Sequence, residues 1–259
     1  MYDGADCTDL ELRGLRAMPP ASPHTPPAAP DCQVVELRQY TLHPGQRDKL
    51  IELFDREFVE PQEAAGVNVL GQFRDLDDAD RFVWLRGFAG MAARGDGLSV
   101  FYGGPVWAQH RNAANATMID SDNVLLLRPA WPGAALPKPA RPRAERGATA
   151  LPRGLLLATV FHLKAPAGPE PLDLARGPLS DALRAAGARR LAWYATEAAA
   201  NNFPRLPVRE GEQVLVSLAL FDDAGAGLSR DFAAAFQPWL GRPTQTLRLL
   251  PTARSALHA

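Results

Sequence analysis

Val34-Val35-Glu36-Leu37-Arg38-Gln39-Tyr40-Thr41 runs into His43-Pro44-Gly45, and then Leu50, Ile51, Leu53, Phe54, Phe58 and Val59 recur at helical spacing. β-Branched and aromatic residues favour a strand over the first eight positions, with Val35 and Leu37 on one face and Glu36, Arg38 and Tyr40 on the other. The Pro-Gly pair ends that strand. Residues 46–60 then predict a helix, and Pro61 marks its end region. The change of period is what decides the fold, because two more strand patterns and further helical sequence follow it.

Residues 67–74 predict a second strand, with Val67, Val69 and Phe73 on one face and Asn68, Leu70, Gln72 and Arg74 on the other. An acidic turn, 75–80, leads to a third strand over 81–87, where Val83 and Leu85 alternate with Phe82, Trp84 and Arg86. Residues 88–116 are helical in pattern but broken by Gly95, Gly97 and Gly103-Gly104-Pro105, so two short helices are expected. Residues 124–128 form a last apolar strand. The order is β-α-β-β-α-β, that of a ferredoxin-like unit.

The order recurs, more faintly, further along. Strands are expected at 155–163, 190–196, 214–221 and 244–250, and helices at 172–186 and 228–240. Between the two blocks lies a proline-dense stretch. Of 24 prolines, six fall in residues 1–30 and six in 129–152, where fixed φ and missing amide donors disfavour helix and central strand. The expected organisation is a disordered tail (1–32), one ferredoxin-like domain (33–128), a proline-rich linker (129–152) and a second, divergent ferredoxin-like domain (153–259). The fold class is α+β: two tandem units pairing through their sheets as an α+β barrel.

The pairing follows from coverage. Helices hide only one face of such a sheet, and the other must be buried elsewhere. Tyr40, Leu70, Phe82 and Trp84 are assigned to that open face, with Trp193 or Tyr194 meeting them from the second block.

Composition narrows function. Lys and Arg total 28 against 29 Asp and Glu, a net charge of -1, and no run of basic residues suits a nucleic-acid backbone. The Arg141-Pro142-Arg143-Ala144-Glu145-Arg146 cluster is read as a solvated hinge. No apolar run is long enough to span a bilayer, and Asp3, Asp6, Asp9 and Glu11 do not fit a secretory signal, so a cytoplasmic protein is expected. Cys7 and Cys32 lie in or at the edge of the tail, and neither they nor the five histidines cluster at metal-ligand spacing. No metal and no cofactor are expected.

Several segments together resemble the NIPSNAP family: residues 36–45, Gly71-Gln72-Phe73-Arg74-Asp75, residues 81–88, and Phe101-Tyr102-Gly103-Gly104-Pro105-Val106-Trp107 through Asn123. The resemblance implies the ferredoxin-like fold and the sheet pairing of the dimeric α+β barrel group. It implies no settled reaction. The second block shares the architecture without the motifs.

Alternation puts Arg38, Tyr40, Gln72, Arg74, Trp84 and Arg86 on one face. Aromatic area with planar guanidinium donors suits a flat, anionic or carbonyl-bearing molecule. The candidate ligand-binding set is Arg38, Tyr40, Gln72, Trp84, Arg86 and His110, in the barrel interior. The competing reading is that the arginines pair with Glu36 or Glu197 and lock the sheets together. His110 has no carboxylate forced beside it by spacing, His43 belongs to a turn, and His162 lies on the second block's first strand, with the barrel as one place it could face. Asp120-Ser121-Asp122-Asn123 lacks the glycine and closing glutamate of a calcium loop and is expected to be a polar turn. The serines form no nucleophile elbow. The expected function is small-molecule binding in the barrel, by a monomeric pseudo-dimer or a homodimer. The alternatives are a cofactor-independent monooxygenase or isomerase, and an interaction module.

Overall fold

A computed structural model describes residues 1, 32–136, 143–223 and 230–259, with the side chains of 230–233 left aside. The expected tail, apart from Met1 and Cys32, lies outside these residues. Eight antiparallel strands close into one barrel in the order β1-β3-β2-β8-β5-β7-β6-β4. The first unit contributes β1 (Val34–Leu42), β2 (Asn68–Asp75), β3 (Arg81–Phe88) and β4 (Met118–Pro129). The second contributes β5 (Leu155–Leu163), β6 (Arg190–Thr196), β7 (Gln213–Phe221) and β8 (Gln245–Pro251). Two short seams join the units: Phe73 to Asp75 against Leu249 to Pro251, and Leu127 to Pro129 against Tyr194 to Thr196. Each described strand therefore has a neighbour on both sides, over only three residues at each seam.

The helices repeat as well. In the first unit α1 (Arg47–Leu53) passes through a π-helical turn (Phe54–Phe58) into α2 (Val59–Ala64). After β3 come α3 (Met91–Gly103) and α4 (Pro105–Asn115), split at Gly104-Pro105 as the sequence predicts. The second unit has α5 (Pro169–Leu174), a π-turn (Ala175–Leu179) and α6 (Ser180–Ala185), then a 3₁₀ helix (Arg230–Trp239). Gly66 and Gly187, at φ 81° and 100°, end α2 and α6 in the left-handed conformation that needs no Cβ. A π-turn in the same place in both units supports the internal repeat more strongly than residue identity does.

The barrel interior is mainly aliphatic, with Phe73 and Tyr194 among the aliphatic side chains and a Gln39–Gln245 amide pair at one end. Val35, Leu37, Val83, Leu85, Leu125 and Leu127 from the first unit meet Leu156, Val160, Val216, Leu218, Leu247 and Leu249 from the second. An eight-stranded barrel has just enough width for side chains to fill it. This corrects the expected facing of the sheet. Tyr40, Phe82 and Trp84 point outward and pack beneath α1, α2, α3 and the π-turn, against Leu50, Phe54, Phe58 and Phe101. Tyr194 does point inward, whereas Trp193 packs outward under the second unit's helices. Alternation separates two faces without saying which one receives helices. A closed aliphatic space has no room for guanidiniums, while helices can bring polar partners to the outer face.

β2 departs from simple alternation. The register shifts between Val69 and Gly71, a bulge at Leu70, so Val69 faces the helices while Phe73 faces the barrel. Three further expectations are corrected. Cys32 is buried against the barrel's end, where a Cβ on Gly87 would lie 2.4 Å from its Sγ. Arg143 is no solvated hinge: it donates to Val69 O at 2.6 Å, Gln72 Oε1 at 3.2 Å and Glu63 at 2.8 Å. Residues 120–123 lie within β4 rather than in a turn.

Candidate functional site

The outward face of β1 and β3 carries the chemistry. Glu36 is fully buried, and three guanidiniums converge on its carboxylate: Arg38 Nη1 at 2.6 Å, Arg86 Nε at 2.7 Å and Arg94 Nε at 2.6 Å. Arg38 and Arg86 come from the sheet, and Arg94 reaches down from α3. All three are at most 1% exposed, so the formal surplus of two positive charges is not dispersed by solvent. Burial by itself would raise the Glu36 carboxyl. The guanidiniums of Arg86, Arg38 and Arg94 outweigh it and hold the group far below the usual carboxylate range.

Aromatic rings enclose the cluster. Arg38 lies 5.4 Å from the Tyr40 ring centroid and 5.6 Å from that of Trp84, and Arg86 lies 5.0 Å from Trp84. Arg38 Nε donates to Tyr40 Oη at 3.0 Å, and Arg86 Nη1 to Tyr102 Oη at 3.3 Å. Burial pushes the Tyr40 phenol above its ordinary value despite Arg38, so it stays protonated.

Three buried donors in this group have no hydrogen-bond partner: Arg86 Nη2, Arg94 Nη2 and Trp84 Nε1. An unsatisfied buried donor costs roughly 1–3 kcal/mol, and more when charged. The surplus of charge and the surplus of donors therefore coincide.

The second unit caps the site. Arg94 Nη1 donates to Asn201 Oδ1 at 2.9 Å and Asn202 Oδ1 at 2.8 Å, both on the loop between β6 and β7. Asn202 Nδ2 in turn donates to Met91 O. A Cβ at Gly95 would stand 2.8 Å from Asn202 Nδ2, so Gly95 permits the loop's close approach. We expect Gly95→Ala to lift this cap and cost about 1–3 kcal/mol by overpacking, measurable by urea denaturation.

Of the expected ligand-binding residues, Arg38, Tyr40, Trp84 and Arg86 are brought together, but beneath the helices rather than inside the barrel. Gln72 sits opposite Trp84 on the same outer face, but its amide is engaged elsewhere: Nε2 donates to Asp55 Oδ1 at 3.0 Å. His110 is also outside, 3.8 Å from Glu57 and edge-on to Phe58. Arg74 pairs with Asp48 at the surface. The expected pairing of the arginines with Glu36 is present, locking sheet to helix rather than sheet to sheet. Arg94, Tyr102, Asn201 and Asn202 were missed. Only tertiary packing brings them in, although an acid and two arginines on one sheet face signalled a missing partner.

His162 faces one end of the barrel. Arg242 Nη2 lies 3.0 Å from its Nδ1, and a guanidinium can only donate, so Nδ1 accepts and the ring is neutral. Burial and Arg242 lower its pKa against the pull of Glu212. Among the described residues no three potential metal ligands gather, and no helix is long and apolar enough to cross a membrane.

Residues 35–131 match the NIPSNAP family. No curated protein matches the sequence significantly. A Fusobacterium nucleatum subsp. nucleatum ATCC 25586 protein named "putative monooxygenase" has a similar structure, with TM-score 0.54 and 9% identity over 85% of this chain and 92% of that one. An anthrone oxidase-like protein is similar at TM-score 0.53 and 15% identity, over 88% of this chain and 97% of that one. A NIPSNAP domain protein from Burkholderia xenovorans aligns with 38% of this chain and 94% of its own, at 14% identity and TM-score 0.35. At such identities, the two full-length likenesses establish the fold alone.

Proposed function

We propose, taking residues 35–131 as the NIPSNAP-family half of a single-chain barrel, that the protein binds a planar aromatic acid on that half's helix-covered face. The observation that carries this reading is the set of unpaired buried donors, Arg86 Nη2, Arg94 Nη2 and Trp84 Nε1, at a site with excess positive charge. A ligand carboxylate supplies the missing acceptors and the missing negative charge. Tyr40, Trp84 and Tyr102 supply area for a flat ring. Entry goes with displacement of Asn201 and Asn202, which close the site from the second unit.

Titration calorimetry with benzoate, naphthoate and their amides tests the reading. The acids should bind saturably and the amides at least about tenfold more weakly, the worth of one lost charge-assisted contact. Arg94→Met should weaken the acids by a similar factor. Equal affinity for acid and amide, or no saturable heat from any of them, refutes it.

The likeness to proteins named for oxidation raises a second reading, cofactor-independent oxygenation. That chemistry begins with removal of a substrate proton. Glu36 is held ionised far below a useful base, and Tyr40 is pushed the other way while its oxygen accepts from Arg38. Binding is the better-supported reading, and oxygen uptake on adding an anthrone would overturn that order.

Closure within one chain also favours a monomer over a homodimer. Native mass spectrometry should return the mass of one chain, 28.0 kDa; a dimer that survives dilution contradicts it.

A further inference from the structure

A cleft of about 350 Å³ opens on the first unit, apart from the arginine cluster. One wall is a helical stripe, Asp48, Ile51, Glu52 and Asp55. The other is linker and C-terminal chain, with Leu151 and Arg254. Most of the charges here are matched. Arg74 holds Asp48 at 2.9 Å, Arg56 holds Glu52 at 2.9 Å, and Arg254 holds Glu60.

Two groups are not matched. Asp55 lines the cleft and is 7% exposed; among the described residues its carboxyl accepts at Oδ1, from Gln72 Nε2 at 3.0 Å and Thr252 Oγ1 at 3.5 Å, and no hydrogen bond to Oδ2 is formed. Arg74 Nη1 is a buried donor with no partner. The cleft thus offers one acceptor that wants a donor and one donor that wants an acceptor. Apolar surface adjoins both, including Leu151, which is 60% exposed.

Asp55 is not there to build the helix. It sits second in the π-turn, and the matching turn of the second unit has Arg176 at that position. Turns of this kind occur often at functional sites.

We propose that this cleft binds a small zwitterion, an α-amino acid with an apolar side chain, its ammonium on Asp55, its carboxylate on Arg74 and its side chain against Ile51 and Leu151. Such a ligand is net neutral, as are the charged residues around the cleft. Burial raises the Asp55 carboxyl more than Thr252, Gln72, Arg254 and Arg143 lower it, so an arriving ammonium relieves a carboxylate that is poorly solvated.

The test is calorimetry on the full chain with L-leucine, L-methionine and L-phenylalanine, set beside L-leucinamide and N-acetyl-L-leucine. At least one free amino acid should bind saturably. Leucinamide lacks the carboxylate and N-acetyl-leucine lacks the ammonium, so each should bind at least about tenfold more weakly than leucine. Asp55→Asn and Arg74→Gln should lose leucine by a similar factor, with the melting midpoint of Asp55→Asn no lower than that of the parent. If Asp55→Asn does not fold, Arg74→Gln decides, since the Arg74 side chain is partly exposed and its ion pair with Asp48 lies at the surface. No saturable binding of any free amino acid, equal affinity for leucine and its two blocked forms, or unchanged binding in Arg74→Gln overturns the proposal.

Discussion

Glu36→Gln should lower stability by about 3–5 kcal/mol, the cost of removing one partner from a buried ion pair. Glutamine keeps the shape and loses the charge, so Arg38, Arg86 and Arg94 are left buried within reach of one another with no counterion. At about 2–4 °C per kcal/mol for a chain of this class, the melting midpoint should fall by roughly 6–20 °C. The pH dependence carries a second signature. A carboxyl whose folded pKa is depressed stabilises the fold above its unfolded value, about 4.3, and that stabilisation drains away as pH falls toward the folded value. The parent should therefore lose stability below about pH 4.3 more steeply than Glu36→Gln. Adding Arg94→Met to Glu36→Gln removes one unpaired charge and should recover part of the loss, a coupling readable in a double-mutant cycle. Equal melting midpoints for the parent and Glu36→Gln would mean that solvent reaches the cluster.

Leu85→Arg should have the larger effect: no soluble, protease-resistant protein. Leu85 is fully buried among aliphatic residues of both units, one position from Arg86, which is equally buried on the opposite face. The substitution asks the same charge to sit on the other side of the strand, where an isolated buried ion costs several kcal/mol or more and no carboxylate is at hand. Against a total stability of about 5–15 kcal/mol, that prevents folding of a barrel whose two halves share one interior. Soluble, thermostable Leu85→Arg protein would mean that the interior is wet. It would also restore the barrel as a place for polar ligands.

The alternation of Val35, Leu37, Val83 and Leu85 was enough to find the strands, and the glycine-proline break at Gly104-Pro105 was enough to divide the helical stretch. Those are local signals of propensity and period. Which face of the sheet meets helices is not local. It depends on the second unit delivering Leu156, Val216, Leu218 and Leu249 to the same space, and on α3 delivering Arg94 to Glu36. The site was legible in part for the same reason. Arg38, Tyr40, Trp84 and Arg86 share a face through strand period alone; Gln72 lies on that same outer face, opposite Trp84, but on β2, where Asp55 of the π-turn draws its amide away from the arginines. Asn201 and Asn202 lie more than a hundred residues from Arg94, on a loop with no motif. Nothing in their spacing could announce them.

The proposed ligand site lies between sheet and helices of the first unit and not inside the barrel. The indole ¹⁵N–¹H signals of the five tryptophans report on it directly. With an aromatic carboxylate bound, the Trp84 Nε1 signal should shift as its unpaired donor gains an acceptor, while Trp193, on the outer face of the second unit, stays in place. A silent Trp84 signal, with shifts confined to the methyl groups of Leu37, Leu85, Val216 and Leu218, would put the ligand in the barrel and contradict the account.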